Sequence, residues 1–198
     1  MVLSDLPGRI GGQLEEHGGH QVLKLPYFNG AVLISPDRVV NEDGSELSRP
    51  EQVFVFNHLA QGGSSLPQGQ WTDFSQFPNT VSKVKSMAAH VEKPLAETFG
   101  TRREALRQAG LGLGAEDQTG RFSSADLALC FAPLPRVPLL LLHWDGDPEE
   151  GFSPDIKILF DSTANDHLDI ESMLFLCERL VHLLIEAGSR LSPSEALS

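Results

Sequence analysis

Asp145, Asp147 and Glu149 occupy alternate positions in HWDGDPEEGFSPD, the segment that begins at His143. Oxygen ligands so spaced suggest a hard cation, which calcium exemplifies. A calcium loop of the EF-hand type also needs a turn glycine at its sixth place and a glutamate at its twelfth. Those places hold Glu150 and Ile156, so that reading fails. A looser cation site stays open beside the plainer alternative of a solvated acidic loop, and no set of residues is assigned as metal ligands.

Other constellations are weighed in the same way. GLGLGA, Gly110 to Ala115, has the spacing of a dinucleotide-binding turn, but that turn needs a strand entering and a helix leaving. Here a predicted helix enters, so a helix-terminating loop is the better reading. His17 and His20 in HGGH have no third ligand nearby, and two ligands alone do not hold zinc. His143 ends an apolar run and reads as a core or rim histidine. No nucleophile elbow and no phosphate-cradling loop occurs, and no catalytic residue is assigned. Asp161 closes ILFD at a strand end with Ser162 and Thr163 next. There it is either a functional loop acid or a turn-capping one.

Those residues must be positioned by a fold. HQVLKLPYFNGAVLIS reads as a hairpin turning at Asn29-Gly30, and a second turn is expected at Asp43-Gly44. Ser48 and Glu51 form a capping-box pattern with Pro50 in the first turn. They open a helix whose face is expected to be Val53, Phe56, Leu59 and Ala60. WTDF is a short strand, a helix covers about 80–90, and Pro94 interrupts it. Thr101 with Glu104 predicts a second capping box and a helix that Gly110 ends. ADLALCFAPL, VPLLLLHW and DIKILFD are strands, and Ile170, Met173, Leu174, Cys177, Leu180, Val181, Leu184 and Ile185 give a long amphipathic helix ending at Gly188. Strands joined mostly by hairpins predict an α+β fold with a mainly antiparallel sheet, packed by that helix and several shorter ones. The expected organisation is a flexible lead-in over 1–20, one α+β domain over 21–188 and a frayed tail over 189–198.

Composition narrows the function classes. A formal charge of −12 over 198 residues argues against nucleic acid and against an anionic membrane surface. Nine of the 27 acidic residues fall between Asp145 and Glu171, opposed there by Lys157 alone, which suits a cation, a basic partner or water. The longest apolar run, VPLLLLHW, is too short to span a bilayer. No secretory signal opens the chain, so a cytoplasmic protein is expected. Cys130 and Cys177 sit in apolar segments without zinc spacing and read as core thiols.

Several spaced motifs carry a resemblance. Gly69-Gln70-Trp71-Thr72-Asp73-Phe74, Phe77-Pro78, Pro94-Leu95-Ala96 with Phe99-Gly100, and Ala125-Asp126 lead into Leu134-Pro135 with Val137-Pro138. Trp144 with Gly146-Asp147 and Glu149, Ile158-Leu159-Phe160-Asp161, and His167-Leu168 before Glu171 follow. In this order they resemble the bacterial and archaeal family called domain of unknown function 3786, over about residues 20–187. One departure is Gly151, which separates Glu150 from Phe152 where the family places an acid directly before the phenylalanine. The resemblance implies a cytoplasmic protein of an anaerobe. Some members carry a fused four-cysteine iron–sulfur domain, which two distant cysteines cannot provide.

The resemblance singles out Trp71, Asp126, Trp144, Asp147, Glu149, Asp161, His167 and Glu171 as ligand-binding candidates, with Trp71, Trp144 and Phe74 as apolar walls. Phe74 reads better as core. Three functions stand. The first is a small-molecule or cofactor-binding accessory protein of anaerobic metabolism, with a corrinoid or other tetrapyrrole as cofactor, or an iron–sulfur or corrinoid protein as partner. The second is a hydrolase or lyase using paired carboxylates. The third is an acidic protein–protein module. Trp144, Asp147, Asp161 and Glu171 are expected to line one cleft.

Overall fold

The computed structural model describes residues 7–147 and 149–191, so most of the expected tail lies outside the described residues. The fold is α+β. The chain divides into two compact units: residues 1–70, 132–138 and 161–173 form the first, and residues 71–131, 139–160 and 174–198 the second.

The first unit opens with a helical turn, α1 (Pro7–Ile10), and a four-stranded antiparallel meander of β1 (Gln13–His17), β2 (His20–Tyr27), β3 (Gly30–Ile34) and β4 (Val39–Asn41). Residues 13–17, which the sequence suggests belong to a flexible lead-in, are thus an edge strand in full register with β2. Gly18 and Gly19, at φ 59° and 80°, supply the two positive angles of a type I′ turn. In the next hairpin Tyr27 pairs with Gly30, so the turn residues are Phe28 and Asn29, one position earlier than expected. Positive φ falls on Phe28 (51°), whose N–H donates to the Pro133 carbonyl at 2.9 Å.

The helix α2 (Arg49–Gln61) is opened by Ser48 and Glu51 in the expected capping box. Its buried stripe differs from the expected one. Phe54, Val55, His58 and Leu59 are buried, whereas Val53 and Phe56 are 52% and 43% exposed. A polar residue, His58, completes the inward stripe, and a search for apolar periodicity passes over it.

The second unit is built on a five-stranded sheet in the order β5 (Trp71–Asp73), β9 (Asp155–Asp161), β8 (Val137–Trp144), β7 (Leu127–Leu134) and β6 (Glu116–Asp117). The three strands expected as neighbours are neighbours. One face of the sheet is dry: Leu127, Leu129, Phe131, Leu139, Leu141, His143, Ile156, Ile158 and Phe160 are all 2% exposed or less. Pro94 does not break its helix. The chain runs through α3 (Val84–Met87), a π-helical turn over Ala88–Glu92 and α4 (Lys93–Phe99), and the Lys93 N–H bonds to the Ala88 carbonyl. The wider turn absorbs the hydrogen bond that a proline cannot make. The helix α5 (Arg103–Gly112) passes Gly110, and the expected Thr101–Glu104 capping box is not formed. Glu104 instead accepts from Gln108 at 2.6 Å and pairs with Arg107.

After α6 (Ala164–His167) comes α7 (Ile170–Arg190), which buries Met173, Leu174, Leu176, Cys177, Leu180, Val181 and Leu184 and continues past Gly188. Gly188 is therefore not a helix stop. A Cβ at this position would lie 2.6 Å from Cε1 of the fully buried Phe99, so glycine lets the helix approach that ring. G188A is expected to cost about 1–2 kcal/mol, overpacking of about 1–3 kcal/mol less a helix-propensity gain of up to about 1. Thermal melts check this, and a variant as stable as the parent would show that Phe99 moves aside freely.

Candidate functional site

Strand period 2 sends alternate residues of β7, β8 and β9 to the second face of the sheet. There the buried floor is Ala125, Ala128, Leu140 and Leu142, and Trp71, Phe122, Cys130, Trp144 and Leu159 pack on it while staying half-covered. Trp144 is locked by its indole N–H, which donates to the Ser124 carbonyl. Asp126 sits at the rim, where Oδ2 accepts the Asp145 N–H at 2.8 Å. Asp145 in turn pairs with Arg103. Phe74 is 2% exposed and packs with its ring centroid 6.1 Å from that of Phe160, the rings tilted at 41°, a core residue as expected. Phe122, Cys130 and Leu159 belong to this face but were not singled out by sequence. The alternation of LALC and IKILF is the signal that finds Cys130 and Leu159; Phe122 lies before β7, outside that pattern.

The acidic loop organises itself. Oδ1 of Asp147 accepts the N–H groups of Glu149 (2.9 Å) and Glu150 (3.1 Å), and the Phe152 N–H closes on the Asp147 carbonyl. Glu149 is exposed. Among the described residues no group of three or more His, Cys, Asp or Glu is placed to hold a metal ion.

Asp161, His167 and Glu171 belong to the first unit. Asp161 is fully buried. Its Oδ2 accepts the N–H groups of Gln68 (2.9 Å) and Gly69 (2.7 Å), and its Oδ1 accepts the N–H (3.0 Å) and Oγ1–H (2.7 Å) of Thr163. Burial pushes its pKa up, and these four bonds outweigh that and hold it below the ordinary carboxylate value. His167 is fully buried, donating from Nε2 to the Ser65 carbonyl at 2.9 Å. Its own carbonyl accepts Nδ1–H of His58 at 3.1 Å. The remaining ring nitrogens, Nε2 of His58 and Nδ1 of His167, have no hydrogen-bond partner. Glu171 is exposed in the first turn of α7.

Of the four residues expected to line one cleft, Trp144 and Asp161 do not meet. In the β8–β9 pair Trp144 lies opposite Asp155, the first residue of the strand that Asp161 ends. Antiparallel pairing places the end of one strand beside the start of the next, so Trp144 and Asp161 stand at opposite ends of the pair, about 20 Å apart along a seven-residue strand. Asp147 and Asp161, two of the acids expected to line that cleft, each accept backbone N–H groups of their own surroundings. Trp71, Asp126 and Trp144 remain together on one sheet.

The sequence profile of a family described as a domain of unknown function (DUF3786) matches residues 3–183, nearly the whole chain. The chain belongs to the domain of unknown function 3786 family. No curated protein and no solved structure matches it. In this family member the motif carrying Trp71 therefore forms an edge strand, the motif carrying Asp126 immediately precedes β7, and Trp144 ends β8. No helix among the described residues is long and apolar enough to cross a membrane.

Proposed function

We propose that this family member is a cytoplasmic small-molecule-binding accessory protein that takes a flat, largely apolar ligand on the Trp71–Trp144 face. The observation that carries this reading is the buried floor of Ala128, Leu140 and Leu142, on which Trp71, Phe122 and Trp144 pack while staying half-exposed themselves. Aromatic walls on an apolar floor, with few polar groups at the rim, are how small-molecule sites are built. Planar rings stack on such walls at little conformational cost. A tetrapyrrole, corrinoids included, is the ligand class this suits. An anaerobe's iron–sulfur or corrinoid protein is the partner that the family resemblance implies.

Trp71 and Trp144 are the chain's two tryptophans, so its intrinsic indole fluorescence reports on this face alone. Titration with haem and with cobalamin is expected to quench that emission saturably, and W144A is expected to weaken binding by about 1–3 kcal/mol, the loss of one stacked aromatic wall. Colourless protein after anaerobic purification, together with no saturable quenching by either compound, would overturn the assignment.

A further inference from the structure

The first unit contains a second concavity that owes nothing to the tryptophan face. It begins with HGGH. The two positive-φ glycines close a two-residue hairpin, so His17 and His20 pair directly across it and stand side by side. Directly opposed residues of an antiparallel pair have Cβ atoms about 4.5–5.5 Å apart, so both imidazoles reach the same ligand. Two residues along β2, Val22 continues that face, and Leu33, paired with Val40, extends it across the sheet. Val22 and Leu33 are buried at 7% and 6% exposure and form an apolar floor.

The β3–β4 turn supplies the far wall. The Ser35 N–H donates to the Arg38 carbonyl at 2.9 Å, and Ser35 Oγ donates to Asp37 Oδ1 at 2.7 Å. That pairing holds Asp37 on its own turn. Together these residues enclose a cavity of about 580 Å³, within the range of small-molecule sites.

Three cation-capable side chains line this cavity, and none has a hydrogen bond or ion pair to another described residue: His17, His20 and Arg38. In a chain with 27 acidic residues against 15 lysines and arginines, carboxylate partners are plentiful. Elsewhere Lys24, Arg103, Arg107 and Lys157 have found them. Arg38 and His20 lie near enough to the Asp37 carboxylate to interact with it electrostatically, but neither is joined to it by a hydrogen bond or a contact ion pair. The Arg38 guanidinium carries fixed N–H donors whose geometry matches a carboxylate or a phosphate.

We propose that this cavity binds a small organic oxyanion, with its charged group held by Arg38 and the imidazoles of His17 and His20 and its apolar body on Val22, Leu33 and Val40. The site is distinct from the tryptophan face, so either can fail without the other.

The test is amide chemical-shift mapping of the full chain with three probes: phenyl phosphate, benzoate and benzylamine. Phenyl phosphate or benzoate is expected to shift the amides of residues 17–22 and 33–40 saturably, with dissociation constants near or below about 1 mM. The stronger of the two identifies the anion. R38A is expected to weaken binding roughly tenfold or more while leaving the amides of α7 in place. R38K should lie between, because it keeps the charge and loses the fork. The double variant H17Q/H20Q carries the same test should R38A perturb the turn. The proposal is overturned if neither anion shifts these amides, if benzylamine binds as tightly, or if both R38A and H17Q/H20Q bind like the parent.

Discussion

Alanine at position 161 is expected to lower the unfolding free energy by about 3–5 kcal/mol, a large share of the margin of an ordinary domain. The carboxylate it removes is fully buried and accepts four hydrogen bonds, two of them from the backbone N–H groups of Gln68 and Gly69. All four donors would lose that acceptor, and at the buried Thr163 an unmet donor costs more than its hydrogen bond contributes when made. D161N is expected to be nearly as damaging, because an amide presents two N–H groups and a single acceptor oxygen to four donors. The pH signature follows from the lowered pKa of Asp161. A carboxyl whose folded value lies below its unfolded value stabilises above the unfolded value and loses that contribution as pH falls through the folded one. The stability gap between the parent and D161A should therefore be widest near neutrality and close in acid below about pH 4. Denaturant melts of both proteins at pH 7 and pH 3 measure it. A D161A protein that unfolds like the parent at pH 7 would refute the assignment of Asp161 as the tie between the strand end and the Gln68–Gly69 loop.

Between pH 7 and pH 4 the protein is expected to lose about 3 kcal/mol of stability through His58 alone. Burial pulls its pKa down from 6.5 to about 4; the His167 carbonyl opposes the shift and the nearby His167 charge adds to it. A buried base with a depressed pKa stays neutral in the folded state while the unfolded chain takes up a proton below 6.5. The folded state is thus fully favoured above 6.5 and progressively disfavoured down to about 4. Asp166 and Asp117, held at about 2 by hydrogen bonds from Ser65 and Thr119, titrate below that window and leave it clear. H58Q keeps a donor for the His167 carbonyl and cannot titrate, so its melting temperature should fall less than the parent's between pH 7 and pH 4. Parallel curves for the two proteins would show that His58 is not the group responsible.

What was legible in the sequence was local. The α2 capping box needs only Ser48 and Glu51, three residues apart, and both of its bonds are present. β7, β8 and β9 declare themselves by apolar runs and alternation, and the two-residue link at Pro135–Arg136 makes β7 and β8 neighbours. These outcomes depend on dihedral preference and on side-chain direction within a few residues, which neighbouring letters determine.

What the tertiary structure decided is the company that each polar residue keeps. Asp161 meets Gln68 across 93 positions and His58 meets His167 across 109, and no periodicity encodes such meetings. The same holds for the inward turn of His58 on α2, which follows from what the helix packs against rather than from its own low amphipathicity. Trp71, Asp126 and Trp144 come to one sheet because β5, β7 and β8 share it, while antiparallel register carries Asp161 to the far end of β9 from Trp144. Trp144 and Asp161 are separated by strand direction, a property of the pair and not of either strand.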